Sequence, residues 1–298
     1  EKKVISKNAT VGVYYWKHGS VCEDYSQIEI PVYAIGGWAD AYSNPVARLL
    51  KNIKTPIRAL VGPWGHQYMH QVVPGPKAGF MDLAMRWWDH WLKETETGIM
   101  NEPKYRAWVQ DSVKPSSCFE ERLGYWAGEE TWPSTNTINK TMYFRDRNLL
   151  PEGGGNSIRI VNSPQTVGRC TPFFGNMGAG DPQDPLDQRL DDSMSVCFDS
   201  SPLDKEFSIL GAPAVTLEIE SDKPSAFICV RLNELRADGS SLLVTYGILN
   251  LTHRNSHENI EPLEVGKRYS VQVFLNDIGH SHHCPICLRQ KQLSFVLP

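Results

Sequence analysis

Two side chains have the types and the placing that acid–base chemistry needs: Asp40, in Gly36-Gly37-Trp38-Ala39-Asp40, and His66, in Gly62-Pro63-Trp64-Gly65-His66. Each lies just past a short apolar run, Pro31–Ile35 or Ile57–Val61, of the kind that forms buried strands of a parallel sheet. Open α/β sheets build their sites outside the carboxyl ends of such strands. A carboxylate bonded to an imidazole there fixes the ring tautomer and stabilises the imidazolium formed when the ring takes a proton. The plain alternative is an Asp that caps the following helix and a His bonded within its own loop.

An acid and a base of this kind serve a nucleophile, and no Ser is placed for that role. Gly155-Asn156-Ser157, Gly239-Ser240-Ser241 and Gly279-His280-Ser281 all lack the second Gly of Gly-x-Ser-x-Gly, and none lies at a strand-to-helix elbow. In hydrolases on parallel sheets the order is nucleophile, acid, histidine. Only 39 residues precede Asp40, and Ser6 and Ser20 among them have no elbow context. The nucleophile is therefore expected upstream of residue 1. The chain opens on Glu1, with no initiator Met and no signal-peptide pattern, and reads as a piece of a longer protein.

Other candidates are weaker. His280, His282, His283, Cys284 and Cys287 have the donor types of a zinc site. They form a single knuckle with no second Cys pair, so the expectation is a non-native or solvated tail and no metal. His66 and His70 are four apart, but Gln67 stands where a His-Glu-x-x-His metalloprotease needs Glu.

The elements that must position Asp40 and His66 follow from periodicity. Ser43 or Asn44 can cap a helix with Pro45 in its first turn, and Val46, Leu49, Leu50 and Ile53 make one apolar stripe. Strand, helix, strand is a βαβ unit. A second helix is expected over residues 79–96, where Phe80, Leu83, Ala84, Trp87, Trp88 and Trp91 keep helical spacing and Gly98 can end it. The three Trp are read as core.

Beyond Pro103 the helical period gives way to short β-rich runs at residues 104–110, 141–144, 157–161, 214–219, 226–232, 242–249 and 269–275. Residues 111–135 and 162–205 read as connections without an element. The fold class expected is α/β plus all-β: a hydrolase-type part over residues 1–100 and a β-sandwich of jelly-roll type over residues 101–298.

Composition bounds the function. A chain of 298 residues with 41% apolar and 21% charged content can bury about two cores. Its net charge of -4 and lack of basic clusters argue against nucleic acid, and no apolar run is long enough to span a bilayer. Seven scattered Cys read as free thiols of a reducing, cytoplasmic compartment.

Several stretches, in order, carry a resemblance to a known family: CEDYSQIEIPVYAIGGWADAY, GPWGH, RWWDHWLK, GIMNEP, VQDSV, and the run from Gly211 to Arg254. They closely resemble the CocE/NonD hydrolases, the cocaine-esterase-like and X-Pro dipeptidyl-peptidase (S15) serine hydrolases, from about residue 14 to about residue 281. The resemblance implies an α/β-hydrolase domain with a helical cap, followed by a jelly roll. It makes Asp40 the triad acid and His66 the triad base. Tyr42 matches an aromatic position facing the acyl pocket, and Trp38 and Trp64 match walls of the substrate site. It implies small ester, amide or X-Pro peptide substrates and no cofactor. The family's Ser and oxyanion hole belong to an earlier half absent from this sequence, and after Ser281 the pattern breaks off. Alternatives are a jelly-roll module that binds carbohydrate or protein, and a zinc-binding scaffold.

Overall fold

In the computed structural model the described residues are 17–153, 158–171, 184–203, 205–282 and, for the backbone only, 292–297. The βαβ unit forms where the apolar runs place it: β1 (Val32–Gly37), α1 (Asn44–Asn52) and β2 (Ile57–Gly62). β1 and β2 are parallel, in register from Val32↔Ile57 to Gly37↔Gly62. The stripe of Val46, Leu50 and Ile53 buries against Ala34, Ala59 and Val61 on one face. Leu60 points the other way, as the period of two requires, and meets Leu83 and Trp87 of α2 (Phe80–Lys93). Both faces of the β1–β2 pair are thus covered, which is why Ala34, Ala59, Leu60 and Val61 are apolar and buried.

Three local expectations change. Ser43 makes no capping bond to α1, and the Asn44 amide reaches across the molecule. Its Nδ2 donates to Asn276 Oδ1, and its Oδ1 accepts the Asp277 N–H, both at 2.8 Å. α2 stops at Glu94, which takes the left-handed conformation at φ 54°, before Gly98 is reached. Of the three Trp of α2, Trp87 is core, but Trp88 faces solvent at 55% exposure, since consecutive residues on a helix point about 100° apart.

The first sheet does not stop at residue 100. β3 (Tyr105–Asp111) pairs parallel with β2 through Ala59↔Tyr105 and Val61↔Ala107, so the strands of the βαβ unit and the β-rich stretch share one sheet. β4 (Gly124–Glu129) runs antiparallel on β3, inside a stretch read as a connection. Gly124 and Gly128 hide its strand character, and both are required by close approach. A Cβ at Gly124 would lie 2.1 Å from the Val109 carbonyl oxygen, and one at Gly128 would lie 2.8 Å from Pro103.

The remaining elements are β5 (Tyr143–Arg145), β6 (Asn148–Leu150), α3 (Arg189–Asp192), β7 (Val196–Ser200), β8 (Ser208–Gly211), β9 (Ala214–Glu220), β10 (Phe227–Leu235), β11 (Ser241–Asn250), β12 (Arg268–Phe274), β13 (Ile278–Ser281) and β14 (Gln292–Leu297). Residues 158–161 form no strand, and Ser157 lies outside the described residues. The first sheet runs β1-β2-β3-β13-β8 with β4 on β3, the second β11-β10-β14-β7-β6-β5, and β12 pairs with β9. Leu149, Phe198, Val230, Leu232 and Val244 of the second sheet enclose one apolar cluster with Val215, Val273 and Ile278 of β9, β12 and β13. No helix among the described residues is long and apolar enough to cross a membrane. Cys22, Cys118, Cys170, Cys197 and Cys229 are free thiols.

Two buried polar features bear on stability. Arg231 on β10 reaches Asp191 at 3.4 Å and Asp192 at 3.0 Å, and Asp192 also accepts from Ser241 Oγ at 2.7 Å. Removing one partner of such a pair leaves the other charge buried and uncompensated. Arg231→Met is expected to lower unfolding free energy by about 3–5 kcal/mol, measured by chemical denaturation.

Burial pushes the carboxyls of Asp184 and Asp277 up from 3.8 to about 6, against the pull of Arg122 and Arg48 respectively. A raised folded-state pKa gives stability that is present at low pH and lost as pH rises through it. His280, pulled down by burial from 6.5 to about 4, adds the opposite slope in the same window. The variant-minus-wild-type difference is therefore the quantity to read. Asp277→Asn should gain on wild type by up to about 3 kcal/mol between pH 4 and pH 6, by denaturation at each pH.

Candidate active site

Parallel register carries Asp40 and His66 to the same end of neighbouring strands, and the ladder then extends past the strands. Trp38 N–H donates to the Gly62 carbonyl at 2.9 Å, and Ala39 N–H donates to the Trp64 carbonyl at 3.0 Å. Each of these loops depends on a glycine. A Cβ on Gly37 would sit 2.0 Å from the Trp64 carbonyl oxygen, and one on Gly62 would sit 2.2 Å from the Trp64 ring. The glycines of GGW and GPW therefore let one loop lie directly on the other.

The result is a hydrogen-bonded pair. His66 Nδ1 lies 2.9 Å from Asp40 Oδ2, and the other carboxylate oxygen accepts the backbone N–H of Tyr42 at 2.8 Å. The Asp40 side chain is 12% exposed and that of His66 50%, so the acid is sheltered and the base opens outward. An ionised carboxylate at Nδ1 requires the ring proton there, which leaves the Nε2 lone pair to accept a proton from a substrate-side group. The two residues named from the sequence are brought together.

The aromatic neighbours divide. The Tyr42 ring is 5.4 Å from that of His66 and is well exposed, a placing from which it can meet a bound molecule. Trp38 lines a cleft of about 150 Å³, together with Asp40, Arg122, Asp184, Asp277 and His280. Its indole N–H donates to the Trp108 carbonyl at 2.6 Å. Trp64 corrects an expectation. It is 1% exposed, packed with Met69 and Trp87, and bonded to the Pro76 carbonyl at 2.7 Å. Its ring supports the loops from beneath and has no surface to offer a substrate.

Sequence reasoning missed Arg122, Asp184 and Asp277, which come to the cleft from loops and strand ends with no motif around them. It also missed a second cluster. Glu234, His280 and His282 are buried, with one donor atom from each lying within 4.8 Å of the others. The solvated tail expected around these histidines is corrected for His280 and His282, which are 2% and 5% exposed. His283, Cys284 and Cys287 lie outside the described residues. Burial acts to raise the Glu234 carboxyl, but hydrogen bonds from His280 and His282 hold it well below the usual carboxylate range.

Comparison with known proteins adds the family. A model described as the X-Pro dipeptidyl-peptidase C-terminal non-catalytic domain matches residues 97–283, and one described as X-Pro dipeptidyl-peptidase (S15 family) matches residues 8–68. A candidate serine esterase of Mycobacterium bovis is 25% identical over 259 residues, covering 83% of this chain and 38% of the relative. The cocaine esterase of Rhodococcus sp. is 21% identical over 286 residues, covering 87% and 47%. Among solved structures, an aminopeptidase of a marine-sediment Thaumarchaeota archaeon superposes with TM-score 0.68 at 15% identity, covering 91% of this chain and 47% of that one. A CocE/NonD family hydrolase of Staphylococcus aureus gives 0.65 at 14%, covering 92% and 47%. The chain thus spans less than half the length of the relatives it matches. The two matched segments follow one another along this chain, the second of them over more than half of it, and the chain belongs to the CocE/NonD and X-Pro dipeptidyl-peptidase family of hydrolases.

Proposed function

We propose that this chain is the C-terminal portion of a serine hydrolase that cleaves ester or amide bonds through an acyl-enzyme, with Asp40 as triad acid and His66 as triad base. The observation that carries this reading is the 2.9 Å bond between His66 Nδ1 and Asp40 Oδ2 at the carboxyl ends of parallel strands. In the proposed reaction a Ser hydroxyl attacks the carbonyl carbon while its proton passes to His66 Nε2. The imidazolium, stabilised by Asp40, then gives that proton to the leaving alcohol or amine. Water attacks the acyl-enzyme by the same route in reverse, and Ser is released.

The Ser itself is not among these residues in any elbow context, and its place in this reading is upstream. Tyr42 would line the acyl pocket and Trp38 the wall between the two parts. The division into a hydrolase part over residues 1–100 and a jelly-roll part over residues 101–298 belongs to the same proposal. So does a reducing, cytoplasmic setting, which the free thiols support.

Alone, the chain is expected to turn over neither aryl esters nor X-Pro-nitroanilides. Turnover by this chain that disappears in Asp40→Asn and His66→Ala would overturn the missing-nucleophile reading. Joined to an upstream segment that supplies a Ser elbow, it should become active. Asp40→Asn should then lower kcat about 10⁴-fold with KM little changed, the effect of losing the tautomer rather than the binding. Equal activity in that variant would remove Asp40 from the triad.

A further inference from the structure

We propose that Glu234, His280 and His282 form a divalent transition-metal site, zinc being the ion their donors suit, which clips the two β layers together. Glu234 lies on β10 in the second sheet, His280 on β13 in the first, and His282 follows β13 directly. Glu234 is 0% exposed, and a buried carboxylate is kept only where donors and positive charge gather on it, as Ser112, His280 and His282 do here.

The geometry fits. His280 Nε2 is 2.9 Å and His282 Nδ1 is 3.3 Å from the same carboxylate oxygen, Glu234 Oε2. An ion held at ~2.0–2.1 Å by tetrahedral ligands needs donors ~3.3 Å apart. Of the two spacings to Glu234 one already meets this and the other has to open by roughly 0.4 Å, and all three donor atoms lie within 4.8 Å of one another. Ser112 Oγ donates to the other oxygen, Oε1, at 2.6 Å. That is the outer hydrogen bond that fixes a ligating carboxylate and leaves Oε2 to the ion.

The donor set also discriminates among ions. Mg²⁺ and Ca²⁺ take oxygen ligands, whereas two imidazoles and one carboxylate suit Zn²⁺ or its neighbours. Arg236 donates to Ser112, and Arg122 lies close enough to act on His280. These two arginines oppose a cation at the site, so its affinity has to come from the carboxylate and the two nitrogen ligands. His280 also lines the cleft of about 150 Å³, which gives an ion a way in. All three ligands are buried and they come from both sheets, so an ion here would add to stability, with its fourth position left to a further donor such as water.

The test is metal content and spectroscopy of the whole chain, refolded with zinc or cobalt and carrying no polyhistidine tag. A His257→Gln background removes the exposed His253–His257 pair, whose Nδ1 atoms are 3.4 Å apart, as a second place for zinc. About one equivalent of zinc should remain after gel filtration, and a chelator should lower Tm by several degrees. The cobalt form should show d–d bands without thiolate charge transfer. His282→Asn should lose the metal while keeping the fold, which holds the test open if Glu234→Gln does not fold. Wild type that retains no zinc and shows no Tm response, a thiolate band, or full metal content in His282→Asn would each overturn the site.

Discussion

Trp64 is seated over two residues that have no Cβ, and the geometry of the candidate site rests on that contact. Its carbonyl lies against Gly37 and its ring against Gly62, so the loops leaving β1 and β2 touch where side chains would otherwise hold them apart. The Ala39 N–H to Trp64 carbonyl bond then extends the β1–β2 ladder into the loops. Asp40 and His66 stand one and two residues beyond that bonded pair. Their hydrogen bond therefore follows from strand register, two glycines and a buried indole, with little left to loop flexibility.

The same economy holds the two parts of the chain together. The first sheet takes β1 and β2 from one part and β3, β8 and β13 from the other. Asn44, at the start of the first helix, is bonded to Asn276 and Asp277 at the corner before β13. Trp38 packs against the apolar clusters of both parts. The cleft beside Asp40 is formed by residues more than 200 positions apart, from Trp38 to His280, so its walls depend on contacts between distant stretches of the chain.

Legibility in the sequence followed the range of the interactions. The βαβ unit, Asp40 and His66 could be read because they depend on local signals: two apolar runs, a helical stripe and glycine–tryptophan motifs. What could not be read depended on distant partners. β4 was hidden because Gly124 and Gly128 answer close approach by Val109 and Pro103. Asn44 looked like a cap, but its bonds go to residues at the far end of the chain. Trp64 looked like a site wall because its motif neighbours the base, whereas its ring turns into the core. Glu234 carried no motif at all, and only the approach of β13 to the second sheet places His280 beside it.

The central claim, that Asp40 fixes the tautomer of His66, is open to direct measurement. In free histidine the neutral ring carries its proton mainly on Nε2, whereas a carboxylate at Nδ1 draws it there. Nitrogen-15 NMR of the His66 ring above its titration range should find Nδ1 protonated in wild type and a reversal towards Nε2 in Asp40→Asn. An Nε2-protonated ring in wild type, unchanged by Asp40→Asn, would contradict the account.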